Sequence, residues 1–531
     1  MSLYDDASLI AYPSGYKESK IYAQKPVNGT GDLTFTRASS ATRVNAEGLI
    51  EEASVIGSEL VVNGDFATDT SWTKGTGWTI SGGVANSDGT QTGFSNLNQV
   101  TTASVGSSYI VSYTISNYIS GSVSAKIGAS SSATTRSSNG FFSEVMVCGT
   151  NNQIYIIANS SFIGSIDNVS VKEVITSNVP RIDYSNGCGS LLLEPQRTNL
   201  VTYSEDFSQS YWGKLGLGVA SAPSVTSNTS ISPSGEQNAS RVIFDLNGGT
   251  AASDRSIIRV SESTSSARVF SIYIKSFDGT DQQISLHSGG EGSPFTVTSE
   301  WTRYTFSISS GVSFIGFGLK GTNGVDVSDV LFYGAQLELG SYSTSLINTS
   351  GTTVTRLADT SSTTGISSLI NSTEGVFYAE IATLTQDNTS VVELTLNDGS
   401  SSNRVAITFT TSNNTLRAIV RVGSANQFNS TNSLSNITEY SKIAIKYKAN
   451  DFALWVNGIE LDTDNIGISF SALTLNNLSF NNGSGSSDFY GNCQNLMVFP
   501  SALTDDELAD ITGAVHQTFN SLATFYGYTI L

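Results

Sequence analysis

Aromatic residues spread along this chain are the side chains best suited to bind a ligand. The ring faces of Trp and Tyr stack on the apolar C–H faces of sugars, while Asn, Asp and Gln hydrogen-bond to sugar hydroxyls. The candidates for sugar contact are Trp78, Tyr109, Tyr113, Tyr211, Tyr273, Tyr378 and Trp455. Each of these rings could instead fill a core, because large aromatic side chains dominate the cores of β-sandwiches. Trp78 is the preferred candidate, since it has no counterpart in the internal repeat of the chain.

Residues for catalysis are sparse by comparison. A Ser-His-Asp arrangement needs a histidine base, and neither His287 nor His516 lies near a Gly-x-Ser-x-Gly motif. A glycosidase needs two facing carboxylates, and no spacing singles out such a pair among the 45 acidic residues. No glycine-rich phosphate loop precedes a helix. We therefore predict that the protein is not an enzyme, with a glycan-active enzyme, or the binding part of one, as the alternative.

Composition indicates the elements that must position these side chains. Only 13% of the 531 residues are charged, and strand-forming Thr, Val, Ile, Tyr and Phe outnumber strong helix formers except near the C-terminus. We predict an all-β fold of tandem antiparallel β-sandwich (jelly-roll) domains with a short C-terminal helix. A net charge of −19 excludes nucleic acid as a partner held by basic side chains. No apolar run reaches the ~18 residues of a transmembrane helix, so no membrane insertion is expected.

An internal repeat organises the first two thirds of the chain. Residues 60–74 match residues 200–214, and both segments place Asp-Phe after a short apolar strand and Trp-x-Lys shortly afterwards. The strands 107–116 and 266–276 also correspond, and each alternates with a period of two. Two copies of one β-sandwich, at 58–174 and 199–349, are the simplest explanation.

The two copies resemble carbohydrate-binding modules of the galactose-binding-like jelly roll, typified by the CenC-type modules of cellulases. The resemblance rests on Asn63-Gly64-Asp65-Phe66, on Trp72 and on the Asp-Asn-Val-Ser-Val ending at 167–171. It implies that a structural Ca²⁺ ties the first strand of each module to the last. The implied ligands are Asp65 with Asp167, and Glu205 or Asp206 with Asp329. Capping of strand ends in solvent is the alternative role of these carboxylates.

The first module interrupts a second recognisable signature. The segments FTRASSATRV (35–44) and PRIDY…LLLEPQRTNL (180–200) resemble one continuous signature of bacteriophage head and tail fibre proteins, of the type found in phages of Bacteroidetes hosts. The chain ends at 3–26 and 519–531 resemble the ends of such proteins. We therefore expect residues 1–57 to form an N-terminal segment, a candidate virion anchor, which residues 175–198 continue as a discontinuous connector.

Charges in this signature predict a local structure. Arg37, Arg43, Arg181 and Arg197 lie beside Glu51, Asp183 and Glu194 in a region with few other charges. We expect partly buried Arg–carboxylate pairs that form a small, rigid polar cluster between domains. An anion-binding patch is the alternative.

The C-terminal third has a different pattern. After a Ser/Thr-rich bridge at 341–365, regular strands resemble laminin-G/concanavalin-like lectin domains over 350–513, with residues 444–462 and 495–511 as the most similar segments. Thr504 and Glu507 form a capping-box pattern that predicts a helix start. Apolar Val515 and Phe519 suggest that a helix or tail continues over 514–531.

Taken together, these resemblances imply a virion structural protein, a head or tail fibre subunit that displays glycan-binding modules. The expected partners are other copies of the chain in a homotrimer, other virion proteins of the capsid or tail, and glycans of the host surface or of mucin. The expected location is the virion, after synthesis in a bacterial cytoplasm. A purely structural capsid decoration protein is a further alternative.

Overall fold

The computed structural model describes residues 3–129, 134–261, 266–289, 291–386 and 390–513. Within these ranges the fold is all-β, built from antiparallel ladders with short helices near the two ends, which confirms the predicted fold class. The chain forms two compact units: Ser54–Thr176 is one, and Met1–Ala53 with Ser177–Leu531 is the other. No helix in the described ranges has the length and apolar character needed to cross a bilayer.

The N-terminal part of the larger unit consists of short elements. They are α1 (Leu3–Asp6), β1 (Leu9–Ala11), β2 (Tyr16–Lys17), β3 (Lys20–Ile21), β4 (Leu33–Thr36), β5 (Thr42–Val44) and β6 (Ile50–Glu52). Strands β5 and β6 pair with each other, whereas β1 to β4 join sheets formed by the C-terminal third of the chain.

The unit Ser54–Thr176 is a two-sheet sandwich. Its strands are β7 (Val55–Glu59), β8 (Thr73–Lys74), β9 (Trp78–Ser81), β10 (Val84–Asp88), β11 (Ser95–Val100), β12 (Ser108–Ser120), β13 (Val123–Ile127), β14 (Gly140–Val147), β15 (Gln153–Ala158) and β16 (Ile163–Ile175). One sheet has the order β14-β12-β16-β10-β9 with β7 added at β16, and the other has the order β13-β15-β11-β8. Alternation in β12 places Tyr109, Val111 and Tyr113 in the core between the sheets.

The second jelly roll repeats this two-sheet plan. A connector of β17 (Ile182–Asp183), β18 (Ser190–Leu193) and β19 (Arg197–Asn199) leads into β20 (Gly213–Leu217), β21 (Ser221–Ser230), β22 (Ala239–Asp245), β23 (Arg255–Ser261), β24 (Arg268–Ser276), β25 (Gln282–Ser288), β26 (Glu291–Val297), β27 (Thr302–Ile308), β28 (Phe314–Lys320) and β29 (Val327–Leu339). A 3₁₀ turn, Gly321–Asn323, precedes β29. The sheet orders are β20-β23-β28-β25-β26 and β21-β22-β29-β24-β27.

The C-terminal sandwich has larger sheets. Its elements are β30 (Val354–Arg356), β31 (Thr360–Thr364), β32 (Glu374–Thr383), β33 (Val392–Asn397), β34 (Arg404–Phe409), β35 (Thr415–Val422), β36 (Ala425–Ser433), β37 (Ser441–Lys448), β38 (Phe452–Val456), β39 (Ile459–Asp464), β40 (Asn477–Ser479), β41 (Gly491–Phe499) and α2 (Asp505–Thr512). One sheet is β17-β18-β41-β32-β37-β38-β39 with β1 added at β41, and the other is β2-β3-β4-β31-β40-β33-β34-β35-β36.

The N-terminal segment and connector are thus structural parts of the C-terminal sandwich, which differs from the separate segment expected over 1–57. Strand β1 and strand β18 lie along the same side of β41, and β4 pairs with β31. Leu9, Phe35 and Leu191 are buried in the core of that sandwich. Burial of these apolar residues explains why the N-terminal segment and the connector join the C-terminal sandwich.

Helix α2 begins as the sequence predicts. The Thr504 hydroxyl accepts a hydrogen bond from the Glu507 N–H, and the Glu507 carboxylate accepts one from the Thr504 N–H, which confirms the capping box. Leu508 and Ile511 pack on the outer face of the first sheet, against residues that include Trp455. The predicted continuation over 514–531 lies outside the described residues.

Candidate functional site

A cluster of buried opposite charges joins three distant parts of the larger unit. Arg37 Nη1 lies 3.0 Å from Asp359 Oδ1, and Arg356 Nη1 lies 2.7 Å from Glu194 Oε2. Arg181 bridges the two carboxylates, with Nη1 at 2.5 Å from Glu194 Oε2 and Nη2 on Asp359. All five side chains are at most 3% exposed. We call these residues the ion cluster.

Hydrogen bonds complete the ion cluster. The Ser345 hydroxyl donates to Glu194 Oε2 at 2.7 Å, and the Glu194 N–H donates to Asp359 Oδ2 at 2.8 Å. Burial by itself would raise the pKa of Glu194, but the guanidinium groups of Arg356 and Arg181 outweigh it and hold that pKa well below its usual range. Glu194 is therefore ionised, and both carboxylates of the ion cluster are paired with guanidinium groups.

The predicted charge pairs are confirmed in part. Arg181 pairs with Glu194, and Arg43 Nη2 lies 2.8 Å from Glu51 Oε1. Asp183 instead accepts hydrogen bonds from Val44 N and Ser185 Oγ. Arg197 lies over the ring of Tyr342, with its Cζ 5.2 Å from the ring centroid, rather than on a carboxylate.

Sequence reasoning missed two members of the ion cluster. Arg356 and Asp359 lie in the segment between the second jelly roll and the C-terminal sandwich, which was interpreted as an extended linker. A signal was present, because these are isolated opposite charges three positions apart in a Ser/Thr-rich stretch. Strand β30, which carries Arg356, pairs with β19 in the connector and so brings the linker to the ion cluster.

A cavity of about 270 Å³ lies beside the ion cluster, and Glu194 lines both. We call it the junction cavity, because the N-terminal segment, the connector, the second jelly roll and the C-terminal sandwich all contribute to its wall. Its polar and aromatic lining includes Arg43, Asp183, Ser185, Tyr273, Arg303 and Asn492. The volume lies just below the ~300–1,000 Å³ of typical small-molecule pockets, so the cavity suits one small polar ring better than a longer ligand.

Tyr273 and Arg303 form the side of the junction cavity supplied by the second jelly roll. They face each other across the ladder between β24 and β27, and Arg303 Cζ lies 5.4 Å from the Tyr273 ring centroid. Arg303 Nη2 also donates to Ser271 Oγ at 2.9 Å and to Thr344 O at 2.7 Å. These bonds hold the guanidinium beside a half-buried ring, so an apolar surface and a cation are presented together.

Most of the other predicted sugar-contact residues are core residues. Exposure is 4% for Trp78, 1% for Tyr109, 0% for Tyr113, 2% for Tyr378 and 8% for Trp455. A ring buried to this degree offers no face to a ligand, so the prediction of sugar contact is corrected for these five residues. Trp78, Tyr109 and Tyr113 lie on inner strand faces of their sandwich. Tyr378 and Trp455 lie on an outer sheet face, where apolar residues that include Leu508 cover them.

Trp78 shows the physical reason clearly. Its indole N–H donates to Ser95 O at 3.3 Å, and its ring lies 6.2 Å from the ring of Phe162. Trp78 therefore packs between the two sheets of its sandwich. Tyr211 is half-buried, with its ring 5.7 Å from that of Trp212, and it packs against the core of the second jelly roll. Tyr273 alone among the seven candidates lines the junction cavity.

The calcium ligands implied for the second jelly roll do not fit a metal site. Arg241 Nε lies 2.9 Å from Asp329 Oδ1 and Arg241 Nη2 lies 2.5 Å from Oδ2, so both carboxylate oxygens are already paired. Asp206 accepts hydrogen bonds from Ser208, Gln209 and Ser227. Asn238 donates to the Glu205 carboxylate at 3.4 Å. Calcium needs six to eight oxygens, and these are engaged elsewhere.

In the first sandwich, the loop that carries Asp65 does meet the last strand. The Val169 N–H donates to Gly64 O at 2.9 Å, while Asp65 accepts from Ala67 N and Asp167 accepts from Asn168 N. No group of three or more His, Cys, Asp or Glu side chains suited to a metal occurs within the described ranges. Calcium binding by Asp65 and Asp167 stays a prediction.

His287 is fully buried in β25, where it cannot reach a substrate at the surface, and His516 lies outside the described residues.

Comparison with known proteins identifies one domain. The family model of the concanavalin A-like lectin/glucanases superfamily (Laminin_G_3) matches residues 376–509, which confirms the lectin-like resemblance of the C-terminal sandwich. No curated protein matches the chain. The protein is thus a multidomain all-β chain with a C-terminal domain of the concanavalin-like class.

Solved structures with partial similarity include two carbohydrate-binding modules and an enzyme. The CBM40 module of the Ruminococcus gnavus IT-sialidase, bound to α2,3-sialyllactose, is 18% identical, covers 27% of this chain and 84% of its own, and has a TM-score of 0.23. The tandem CBM22-1–CBM22-2 domain of Paenibacillus barcinonensis Xyn10C is 12% identical over 54% of this chain and 98% of its own, with a TM-score of 0.22. A leech intramolecular trans-sialidase is 21% identical over 27% and 24%, with a TM-score of 0.24.

Proposed function

We propose that this protein is a non-catalytic glycan-binding protein, displayed on a bacteriophage virion as a head or tail fibre subunit. The observation that carries the binding role is the junction cavity, in which the half-buried Tyr273 ring stands beside the fixed Arg303 guanidinium. Sugar recognition needs this combination of a ring and convergent polar groups. The match of residues 376–509 to a lectin superfamily model adds support.

The ligand in this proposal is a single sugar unit at the end or branch of a glycan. Arg43 and Arg303 supply donors, Asp183 supplies an acceptor, and Asn492 supplies both. The ion cluster fixes the segments that form the walls of the junction cavity. This rigidity lowers the conformational entropy that is lost when a ligand binds.

The virion role is proposed from the fibre-type signature. Its residues Arg37, Arg181 and Glu194 are members of the ion cluster, so the signature encodes a rigid joint between modules. A rigid joint suits a protein that must present binding modules at a distance from a particle. In this proposal the subunit forms a homotrimer, attaches to other capsid or tail proteins, and binds glycans of the host surface or of mucin.

A glycan array with the full chain tests the binding role, followed by calorimetry on the best ligand. We expect Tyr273→Ala to weaken binding about tenfold, because loss of a stacked ring removes on the order of 1.4 kcal/mol. Tyr22→Ala is the matched control, since Tyr22 is a 42% exposed tyrosine of the same unit. Equal binding by Tyr273→Ala, with unchanged melting temperature, would overturn the proposed site.

Different assays separate the alternatives. Release of reducing ends from a polysaccharide by the full chain would show a glycan-active enzyme, whereas binding to no host or mucin glycan would favour a purely structural decoration. Locating the subunit in a virion reconstruction, with its stoichiometry, tests the fibre role and the trimer together.

A further inference from the structure

The outer face of the C-terminal sandwich carries an unusual group of cations. Arg404 on β34 lies opposite Arg421 on β35, and Arg417 lies four pairs further along the same ladder, opposite Thr408. Glu393 on β33 is the carboxylate on this face, and it lies opposite Thr408 of β34. Since alternate residues of a strand share a face, all four side chains project away from the core between the sheets. We call these four residues the arginine face.

Charge on the arginine face is not balanced. Arg404 Nη2 lies 3.4 Å from Glu393 Oε1, and both side chains are nearly buried, at 7% and 6% exposure. Arg417 and Arg421 form no ion pair within the described residues. Three guanidinium groups against one carboxylate leave a surplus of two positive charges, in a chain whose net charge is −19.

The two unpaired guanidinium groups are held in place. Arg417 Nε donates to Asn429 Oδ1 at 2.6 Å, and Arg421 Nε donates to Asn426 Oδ1 at 2.8 Å. An Nε bond of this kind orients the planar guanidinium and leaves its Nη groups for a second acceptor. Preorganised guanidinium groups bind carboxylate and sulfate oxygens with two parallel hydrogen bonds.

Spacing indicates the size of the ligand. Arg417 and Arg421 are four residues apart on β35, so their Cα atoms are separated by roughly 13 Å along the strand. A single small anion cannot reach both guanidinium groups, whereas a polymer with repeated acidic groups can.

We propose that the arginine face binds an acidic polysaccharide through its carboxylate or sulfate groups. Nucleic acid fits less well, because the arginine face has no aromatic side chain for base stacking. The proposal rests on the proposed function only for the class of ligand, since the arginine face shares no residue with the junction cavity.

The test measures binding of the full chain to immobilised polygalacturonate, dextran sulfate, neutral dextran and single-stranded DNA, at low and high salt. We expect binding to polygalacturonate or dextran sulfate that weakens with salt, and none to dextran. The double variant Arg417→Gln/Arg421→Gln should bind at least about tenfold more weakly, because each guanidinium loses a charge-assisted contact. Binding to polygalacturonate would identify carboxylate as the recognised group, and binding to dextran sulfate would identify sulfate.

A matched control removes general charge effects. The double variant Lys17→Gln/Lys20→Gln changes the net charge by the same amount on β2 and β3, at the opposite end of the same sheet, and should bind like the parent protein. Equal losses in the two double variants, binding to neither acidic polymer, or a preference for DNA would each overturn the proposal.

The outcome is separable from that of the proposed function. Suppose that Tyr273→Ala abolishes glycan binding, while Arg417→Gln/Arg421→Gln binds the acidic polymer as the parent protein does. The junction cavity is then supported as a binding site, and the proposal for the arginine face is overturned. If only Arg417→Gln/Arg421→Gln loses binding, the arginine face is supported as a binding site and the junction cavity is not.

Discussion

Arg37 and Asp359 lie 322 positions apart in the chain, yet their side chains form a 3.0 Å ion pair that is fully excluded from solvent. The arginine belongs to the N-terminal segment and the aspartate to the segment that enters the C-terminal sandwich. Asp359 also binds Arg181 of the connector. The Asp359 carboxylate thus binds both the N-terminal segment and the connector to the segment that enters the C-terminal sandwich. The stability of the larger unit should therefore depend on it.

Replacing that carboxylate is expected to destabilise the larger unit strongly. Asp359→Asn leaves the buried guanidinium of Arg37 without its counter-charge and leaves Arg181 with Glu194 alone, which costs about 3–5 kcal/mol. Urea unfolding of the full chain measures the loss. The control is Asp451→Asn, because Asp451 is 42% exposed in its pair with Lys446 and should contribute less than about 1 kcal/mol. Similar losses for both variants would show that burial of the ion cluster adds nothing.

Glu380 should make the stability of the folded protein fall as the pH rises, whereas a carboxylate with a lowered pKa makes it fall as the pH drops. Burial raises its pKa from 4.5 to about 7, against the opposing charge of Lys442. The folded protein therefore binds this proton more tightly than the unfolded chain does. Its contribution is fully present below pH 4.5 and is lost as the pH rises towards about 7.

The variant Glu380→Gln isolates this effect, since it cannot ionise. Above pH 7 we expect it to exceed the parent protein in unfolding free energy by on the order of 3 kcal/mol, with little difference below pH 4.5. Denaturant unfolding of both proteins over this range measures the difference. A constant difference at every pH would contradict the assignment. Comparison at each pH cancels Glu194, whose lowered pKa makes its own contribution fall on acidification.

Trp78 should behave as a core residue. Trp78→Ala removes a ring that is 4% exposed and leaves a cavity, at an expected cost of about 3–5 kcal/mol. Hydrogen exchange of the full chain should accelerate in β9 to β16, where its neighbours lie. Trp78→Phe keeps most of the apolar volume and should lose less. Unchanged exchange combined with lost glycan binding would instead restore its predicted role as a ligand contact.

Asp329 should act through Arg241 rather than through a metal. Since both of its oxygens are paired with that guanidinium, Asp329→Asn is expected to lower stability by about 1 kcal/mol to the same extent in Ca²⁺ and in EDTA. Thermal unfolding in the two solutions measures the loss. A cost that appears only with Ca²⁺ would show that the ion is bound there. Asp65→Asn, tested in parallel, addresses the prediction that remains for the first sandwich.

Loss of the capping box should loosen the cover of the C-terminal sheet. Thr504→Ala removes the acceptor of the Glu507 N–H, which costs about 1 kcal/mol, and hydrogen exchange in α2 should rise accordingly. Ser501→Ala alters an exposed hydroxyl just before the helix and serves as the control. If the two variants exchange at the same rate, the cap does not stabilise the helix.

Particular residues show how far the sequence could be interpreted. Alternation in β12 predicted a strand correctly, and Thr504 with Glu507 predicted a helix start, because both patterns depend on neighbours within a few positions. The pair Arg181 and Glu194 was also within reach, being 13 positions apart. Arg356 and Asp359 were missed since their partners come from other segments of the chain.

By itself, the sequence determined the all-β class, the repeat of two sandwiches and the lectin-like C-terminal domain, since composition and period-two alternation are local properties. Only the tertiary structure decided which aromatic rings are buried, because alternation defines two faces of a strand without saying which one packs. It also decided that Tyr273 lines the junction cavity and that three arginines share one outer face. Those placements depend on strand pairings across hundreds of residues, which hydrophobic burial selects and no local pattern encodes.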